Sequence, residues 1–324
     1  MLLGAQLKTM LRRLAQEALI RSVRPYVAAE RRGWGSVYAA MIGSYKRDRF
    51  WSDAPTVAGR NKLFGYESQY DLRRWADRIG FFLGRWYDLP SQLLIRAVGG
   101  KTVVDIGANR GEFSMAAAAM DPSARIIAFE PNPEIAAILK RDLAHNCITN
   151  VEVRECGLSD CADVLTLHVP FVNSGSASFG GFESEGFVIK DIPVRVGDEE
   201  LRGSEPQLIK IDVEGFELRV LRGLRKTIEG FRPIIETELV DDNLARCQAS
   251  QQEIQSFMAD LGYRGFGMAL NRAGREQELT LVEVGTTWDV AWLPEEVNPA
   301  TLHASTGDLR SFSGKHACQA PMSL

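Results

Sequence analysis

The first residues that could do chemistry lie where a short apolar run meets a glycine loop. Residues 102–106 are β-branched except for Asp105, and Gly107 and Gly111 follow before a helix-like stretch. Glycine allows a sharp backbone turn and lets a ligand approach without a Cβ in the way. A strand followed by such a loop is typical of a cofactor site in an open α/β sheet. The Asp105 carboxylate would repel a pyrophosphate but suits a ligand with an amino group and a positive sulfonium.

A dinucleotide site is the main alternative for this loop. Its G-x-G-x-x-G fingerprint has three glycines, and this chain has Asn109 where the middle glycine would stand. Glu130 ends the next predicted strand, 19 residues after Gly111, where a carboxylate can accept both hydroxyls of a ribose. Because dinucleotide sites use an acid there as well, Glu130 does not separate the two cofactor classes. A nicotinamide-dependent oxidoreductase on a Rossmann-like fold therefore stays open as an alternative.

The next motif is Gly-Leu-Ser-Asp at residues 157–160, after a third predicted strand. Leu158 could cover the face of an adenine ring, and Ser159 could hydrogen-bond its edge. The same residue types also form ordinary β-turns. The residues leave both interpretations open.

Charged side chains interrupt a further apolar strand at residues 207–213. Lys210 and Asp212 lie within it, and Glu214 follows at its carboxyl end. Buried charges are costly unless they are paired or functional. Carboxylates at this edge could take a proton from an acceptor or hold a divalent cation, with Glu236 and Glu238 of the next strand as further ligands. We expect proton transfer rather than a metal.

Alternating strands and helices must position these motifs, and the sequence predicts them from residue 101 onward. Runs of apolar and β-branched residues predict strands that are buried on both faces, and most are followed by helical spacing. This order predicts a parallel sheet with right-handed crossovers. Residues 264–270 and 288–293 are predicted to form an antiparallel pair. The expected fold class is α/β: a doubly wound, mostly parallel Rossmann-like sheet with an N-terminal helical extension.

Four segments follow from this assignment. Residues 1–32 hold seven basic and two acidic residues and predict a basic amphipathic helix, which docks on the domain or a second subunit, or contacts an anionic membrane peripherally. Residues 33–98 predict a helical lid or entry segment, whose aromatic and Arg residues suit sugar binding or a buried cap. Residues 99–294 form the α/β domain. Residues 295–324 predict a polar, disordered tail that contributes little to the core.

Composition limits the class of protein. The chain has 324 residues, of which 45% are hydrophobic and 25% charged, as in ordinary globular proteins. Its net charge of −4 provides no overall field that would recruit nucleic acid. Five cysteines without a CxxC pair favour a reducing compartment, and no apolar run reaches the ~18 residues of a membrane span. We therefore expect a cytoplasmic protein without a nucleic-acid partner; its oligomeric state stays open.

The four motifs together resemble a known family. VDIGANRG at 104–111, FEPNP at 129–133, GLSD at 157–160 and IKIDVEGFE at 209–217 are similar, in order and spacing, to the motifs of the FkbM-type methyltransferases. The resemblance covers roughly residues 90 to 294. It implies a class I methyltransferase that uses S-adenosylmethionine and methylates a hydroxyl on a sugar, glycan or polyketide-type small molecule. A non-catalytic module that binds S-adenosylmethionine is a further alternative.

The resemblance also implies a role for each motif. It places Asp105, Gly107, Asn109 and Gly111 around the methionine of the cofactor. It places Glu130 at the ribose, and Leu158 with Ser159 at the adenine. Asp212 and Glu214 would face the transferred methyl group and the acceptor. Because a hydroxyl nucleophile must lose its proton, Asp212 is the first candidate for the general base and Glu214 the second, with His168 a weaker third.

Overall fold

The computed structural model describes residues 2–43, 48–170, 177–180, 187–274, 276–310 and 312. The chain divides into two compact units, Met1–Tyr87 and Asp88–Leu324, and each has a hydrophobic core of its own. The boundary between them differs from the predicted one at residue 98.

The N-terminal unit combines helices with one hairpin. Its elements are α1 (Leu2–Ala28), α2 (Trp34–Met41), α3 (Asp48–Trp51), β1 (Thr56–Arg60), β2 (Glu67–Asp71) and α4 (Trp75–Leu83). Trp51, Leu72 and Phe82 are fully buried in its core, and Tyr38 and Tyr70 pack with them. Many of the aromatic residues thus form a core, which corrects the expected helical lid or entry segment at residues 33–98. Residues 33–87 contain an antiparallel hairpin and form one unit with residues 1–32, whereas residues 88–98 belong to the other unit.

Helix α1 contacts the rest of the N-terminal unit through one of its faces. One face is buried in the N-terminal unit through Gln16, Val23 and Val27. Gln16 donates to the Phe50 carbonyl oxygen over 2.7 Å, and Arg12 forms an ion pair with Asp53 at 3.2 Å. Among the described residues, no helix, α1 included, has the length and apolar character needed to cross a bilayer.

The second unit is built around an eight-stranded sheet. Its remaining elements are α5 (Leu89–Val98), β3 (Thr102–Ile106), α6 (Glu112–Met120), β4 (Arg125–Phe129), α7 (Pro133–His145), β5 (Val151–Arg154), β6 (Gly157–Ser159), β7 (Asp163–Pro170), β8 (Phe187–Val196), α8 (Gly197–Glu200), β9 (Leu208–Ile211), α9 (Glu217–Gly223), α10 (Arg225–Phe231), β10 (Ile234–Glu238), α11 (Asp241–Arg246), α12 (Gln251–Asp260), β11 (Tyr263–Ala273), β12 (Glu276–Val282), β13 (Asp289–Pro294), a 3-10 helix (Pro299–Thr301) and α13 (Thr306–Arg310). Asn132 caps α7 by accepting the Glu134 amide, with Pro133 in the first turn.

The sheet confirms the predicted α/β class. Its strand order is β12-β11-β13-β10-β9-β3-β4-β5, and the five strands from β10 to β5 are parallel. The chain runs from β3 outward to β5, then returns to β9 and β10 on the other side of β3. The antiparallel pairing of β11 with β13 also agrees with the prediction, whereas the sequence analysis missed β12 and β8.

Alternating strand residues divide the parallel core into two faces. Val104, Ile209 and Ile235 are in register and belong to the large apolar cluster that also includes residues of α9 and α12. Their neighbours Asp105, Lys210 and Glu236 are also in register and point to the other face, because successive strand residues alternate. Burial on both faces is what a doubly wound sheet requires.

A second, three-stranded sheet has the order β6-β8-β7. β6 pairs in parallel with β8, and β7 pairs antiparallel with β8. The first three residues of the Gly-Leu-Ser-Asp motif therefore form a short strand rather than a plain turn, and Leu158 is buried in it.

The C-terminal segment is not a disordered tail as far as the structure describes it. Leu302, Ala304 and Leu309 are buried, and the Ala304 carbonyl oxygen accepts the Leu279 amide over 3.0 Å. Three apolar residues among polar ones form too short a pattern to predict a helix or a strand, so the sequence did not reveal their burial. Residues 313–324 lie outside the described residues.

Candidate active site

The site lies where the direction of strand succession reverses, between β3 and β9. Ile106 and Ile211, the last residues of these strands, are in register. Ligands of open α/β sheets bind in the crevice at such a switch point, because the loops leave it in opposite directions. A cavity lies at this edge, with about 540 Å³ of empty space that includes open solvent.

Gly107 makes the closest approach between the two strand ends. Its φ is +82°, and a Cβ there would stand 1.9 Å from the Asp212 carbonyl oxygen. No other residue type fits this position without moving the backbone of the β9 loop. The glycine therefore holds the cofactor loop directly against the acidic segment. The motifs predicted that the two lie near each other, but not this backbone contact at Gly107.

The other residues of the loop shape its turn. Asn109 has a positive φ of 50°, and Gly111 has a φ of +79° at the N-cap of α6. A Cβ on Gly111 would stand 2.1 Å from Leu139 Cδ1 of α7. Asn109 lines the cavity, whereas Gly111 is not among the described residues that do so and serves the packing of loop against helix.

Glu130 anchors the loop from the end of β4. One carboxylate oxygen accepts the Asn109 amide over 2.7 Å, and the other accepts the Asn132 amide over 2.8 Å. Burial, opposed by these two bonds and aided by Asp105 and Asp212, raises the pKa of Glu130 to about 7. Glu130 also lines the cavity. Each carboxylate oxygen can accept more than one hydrogen bond, so the predicted ribose contact remains compatible with this loop-holding role.

An apolar wall closes one side of the cavity. Leu158 lines it with Phe179 and Phe216, whose rings lie 5.2 Å apart between centroids. A flat apolar ring would fit against this wall. Ser159 is buried but is not among the described residues that line the cavity; its hydroxyl donates to Asp160 over 3.1 Å. Leu158 was predicted from its motif, whereas the two phenylalanines carry no local sequence signal for this site.

Asp105 belongs to a buried charged row rather than to the cavity lining. It lies on β3, in register with Lys210 of β9, and its Oδ2 accepts the Ser114 hydroxyl over 2.6 Å. Its Oδ1 has no hydrogen-bond partner among the residues that the structure describes. Burial raises the pKa of Asp105, against the positive charge of Lys210. Although burial acts to lower it, the pKa of Lys210 is raised well above its ordinary value by Asp212, Asp105 and Glu236. The lysine thus remains charged among these acids.

Asp212 leads from this row into the cavity. Lys210 Nζ lies 2.6 Å from its Oδ2, and 36% of the Asp212 side chain is exposed. Glu214 follows with a positive φ of 54°, and its Oε2 accepts the Asn243 side-chain amide over 2.6 Å. Burial, then the charges of Asp212 and Glu217, raise the pKa of Glu214 to about 8. The two predicted acids therefore differ. Asp212 forms an ion pair and is partly exposed, whereas Glu214 keeps its proton near neutral pH.

Glu238 completes an acidic cluster with Asp212 and Glu214. One carboxylate oxygen of each residue lies within 4.8 Å of those of the other two. Burial first, then Asp212 and Glu214, raise the pKa of Glu238 to about 9. Carboxylates this close share protons or a cation, and these three could hold a divalent ion. The sequence analysis named Glu238 only as a further metal ligand; its position at the carboxyl end of the strand after Glu214 was the available signal.

The cavity as a whole fits S-adenosylmethionine. Its described lining consists of Ile106, Gly107, Asn109, Phe129, Glu130, Pro131, Cys156, Gly157, Leu158, Leu167, Ala177, Phe179, Asp212, Val213, Glu214 and Phe216. Acidic groups at two places suit a ligand with a ribose, an amino group and a positive sulfur, and the apolar wall suits its base. Neither Lys nor Arg is part of this lining, which disfavours the pyrophosphate of a dinucleotide.

Proteins with sequences similar to this chain include methyltransferases. Hexuronic acid methyltransferase AglP of Haloferax volcanii is 29% identical over 205 residues, which cover 60% of this chain and 82% of the relative. The solved structure of Methyltransferase FkbM from Methylobacillus flagellatus matches with 19% identity and a TM-score of 0.38. That match covers 60% of this chain and 43% of the solved chain, less than half of its length.

The family assignment rests on two further matches. The family model described as the Methyltransferase FkbM domain matches residues 105–264, which include all of the predicted cofactor residues and the acidic segment. Methyltransferase sdnD of Sordaria araneosa is 30% identical over 185 residues, which cover 43% of this chain and 71% of the relative. Both matches agree with the four motifs and with the switch-point cavity, and the chain belongs to the FkbM family of S-adenosylmethionine-dependent methyltransferases.

Proposed function

We propose that this methyltransferase methylates a hydroxyl group of a sugar, glycan or polyketide-type acceptor. The observation that carries the proposal is that one cavity contains both the cofactor loop with Glu130 and the carboxylates of Asp212 and Glu214. A proton acceptor next to the cofactor site is what a hydroxyl nucleophile requires. The name of the hexuronic acid methyltransferase among the relatives supports a sugar acceptor.

The cofactor would be held by the residues already placed at the switch point. Gly107 and Asn109 present backbone to the methionine end, Glu130 accepts from the ribose, and Leu158 and the two phenylalanines cover the base. When bound, S-adenosylmethionine supplies an electrophilic methyl group on a positively charged sulfur. The remaining task of the protein is to align and deprotonate the acceptor, and alignment alone can remove about 7–11 kcal/mol of a barrier.

Asp212 is the residue best placed to accept the proton of the acceptor hydroxyl. Its side chain is partly exposed in the cavity, and the Lys210 ammonium, 2.6 Å away, compensates its negative charge. Glu214, with a pKa of about 8, holds its own proton at pH 7 and can donate a hydrogen bond to the acceptor. Lys210 keeps Asp212 oriented, and its own charge is held by the buried acids Asp105 and Glu236.

The first experiment identifies the acceptor and tests the base. Mass spectrometry of extracts from a strain that lacks this protein, incubated with enzyme and labelled cofactor, identifies the methylated product. With that acceptor, Asp212→Asn should lower turnover by about 10²–10⁴-fold, because the charge of the base is lost while its size is kept. Cofactor affinity should change little. Asp260→Asn, an exposed acid at the end of α12, is the matched control and should keep wild-type turnover.

The same assay separates the alternatives. Near-normal turnover of Asp212→Asn would transfer the base role to Glu214 or to the substrate. If Asp212 serves only to pair with Lys210, Lys210→Met should restore part of the lost turnover, because both charges of the pair are then removed. Cofactor binding without transfer to any acceptor would support a non-catalytic module.

Metal removal tests the acidic cluster. We expect EDTA to leave turnover unchanged, because proton transfer to Asp212 needs no ion. A loss of turnover that Mg²⁺ or Mn²⁺ restores, and that Glu238→Gln also produces, would instead assign the cluster of Asp212, Glu214 and Glu238 to a divalent cation that lowers the pKa of the acceptor hydroxyl.

A further inference from the structure

The first half of helix α1 exposes a row of large apolar side chains. Leu7, Met10, Leu11 and Leu14 are 52–56% exposed, and they are four of the ten large exposed hydrophobic residues in the described part of the chain. Their spacing of three, one and three residues places them on one face of the helix. The opposite face is already used, because Gln16 and the valines that follow it are buried in the N-terminal unit. This set of four residues is called the α1 stripe.

Basic residues flank the α1 stripe. Lys8 and Arg13 are exposed and lie on opposite sides of it, since they are separated from its centre by about a quarter to a third of a helical turn. Glu17 is the one acidic residue in the first 28 positions, and Arg21 lies 3.8 Å from it. The edges of the stripe therefore carry positive charge.

The charge of the whole N-terminal unit has the same sign. Residues 1–87 contain 16 Lys and Arg against 7 Asp and Glu, a formal charge of +9. Since the chain carries −4 in total, residues 88–324 carry −13. This asymmetry is hidden in the overall net charge. A strongly basic unit in a chain whose other residues are strongly acidic indicates an anionic partner for the basic unit.

Apolar and basic surface on the same helix narrows the choice of partner. Nucleic acid would be attracted by the charge but would leave the leucines of the stripe without a role, because phosphates are bound by cations and amides. A second copy that packed its own α1 stripe against this one would cover the leucines but would bring like charges together across the pair. A bilayer with anionic lipids uses both features: its headgroups attract the basic residues, and its acyl boundary takes up the apolar side chains.

We infer that the N-terminal unit binds the surface of anionic membranes peripherally, with α1 lying in the interface and the α1 stripe inserted. The core of the unit holds the helix from the other side, so the helix need not fold on binding. This inference is independent of the acceptor of the methyl group.

The test is sedimentation of the full chain with vesicles of phosphatidylcholine, alone or mixed with phosphatidylglycerol. We expect binding to the mixed vesicles that weakens at high salt, and weak binding to phosphatidylcholine alone. Leu7→Gln with Leu11→Gln should reduce the partition coefficient at least about tenfold, since apolar insertion is lost. Lys8→Glu with Arg13→Glu should reduce it to a similar degree. Val164→Gln with Leu270→Gln, which changes exposed apolar residues of the other unit, should have no effect.

Three results would overturn the inference. Equal sedimentation of wild type and the Leu7→Gln, Leu11→Gln double variant would remove the stripe from the interaction. Absence of binding to the mixed vesicles, together with a light-scattering mass that halves in that variant, would assign the stripe to a second copy. Binding to duplex DNA, with no binding to either vesicle, would assign the basic unit to nucleic acid. Circular dichroism of each variant verifies that the fold is kept.

Discussion

Glu130 holds the cofactor loop and lines the cavity with the same side chain. Both of its oxygens already accept backbone amides, one from the cofactor loop and one from the start of α7. The loop conformation at Asn109, with its positive φ, is therefore stabilised by the same carboxylate that lines the cavity. We therefore expect loss of this carboxylate to remove the proposed ribose contact and also to relax the loop that carries Asn109.

Glu130→Ala should weaken S-adenosylmethionine binding by about one to two orders of magnitude, because hydrogen bonds to a charged group contribute about 1.5–3 kcal/mol each. Calorimetric titration of the purified variant measures this change. Glu155→Ala, which breaks an exposed ion pair with Lys140, serves as the control and should bind like wild type. Wild-type affinity in a folded Glu130→Ala protein would refute the ribose assignment.

The buried acids of the site also make stability depend on pH. Burial raises the pKa of Glu130 and of Glu217 from 4.5 to about 7. The folded state therefore binds more protons than the unfolded state between these values. The contribution of both groups is most favourable below pH 4.5 and is lost as the pH rises toward 7, so the free energy of unfolding falls through this window.

Glu217→Gln should make this decline less steep, by up to one proton. The amide oxygen of glutamine can still accept the Val213 and Gly215 amides that Glu217 Oε1 now accepts at 3.2 and 3.1 Å. Urea unfolding at several values between about pH 5 and pH 8 gives the slope. Glu229→Gln, at an exposed pair with Arg225, should leave the slope as in wild type. An unchanged slope in Glu217→Gln would show that this carboxyl is ionised throughout.

At the scale of elements, the loop after β3 and the loop after β9 touch at Gly107. A side chain at this position would cost stability in two ways, because Gly107 has a positive φ and because an added Cβ would clash with the β9 loop. Gly203, in the same unit, has a φ of +78° but no heavy atom within 4 Å of an added Cβ. It therefore isolates the cost of the backbone conformation.

Gly203→Ala should cost about 1–2 kcal/mol of stability, the price of a left-handed backbone. Gly107→Ala should cost more than that and should also abolish cofactor binding, because the new Cβ would displace the Asp212 backbone. Thermal unfolding and calorimetric titration of both variants measure the two effects. Equal stability of the two variants, with cofactor binding kept in both, would show that the loops separate without consequence.

At the scale of the whole molecule, ligand binding should raise the free energy of unfolding of the unit that contains the cavity. A ligand that binds only the folded state stabilises it by about 2.7 kcal/mol at one hundred times its dissociation constant. S-adenosylmethionine should therefore raise the unfolding temperature in a concentration-dependent way, and NAD should not. A shift with NAD alone would instead favour the oxidoreductase alternative, for which the loop lacks the middle glycine.

Local patterns in the sequence determined the elements and the motifs. The apolar parallel strands, the capped start of α7 at Asn132 and Pro133, and the glycine loop are encoded by neighbouring residues, through periodicity, capping and backbone freedom. For the same reason the sequence predicted the fold class, the family and the cavity positions of Gly107, Glu130 and Asp212. In a parallel sheet the carboxyl ends of neighbouring strands lie at one edge, so residues at those ends come together. The alternation of strands and helices in the sequence already implies such a sheet.

Only the tertiary structure decided what each side chain faces. Asp105 turns to Lys210 and Ser114, Ser159 stays outside the cavity lining, and Glu238 joins Asp212 across two strands. The hairpin of the N-terminal unit and the buried Leu309 likewise depend on contacts between residues far apart in the chain. Such contacts leave no period in the sequence, because a single apolar or charged residue reads the same whether it meets solvent or a distant partner.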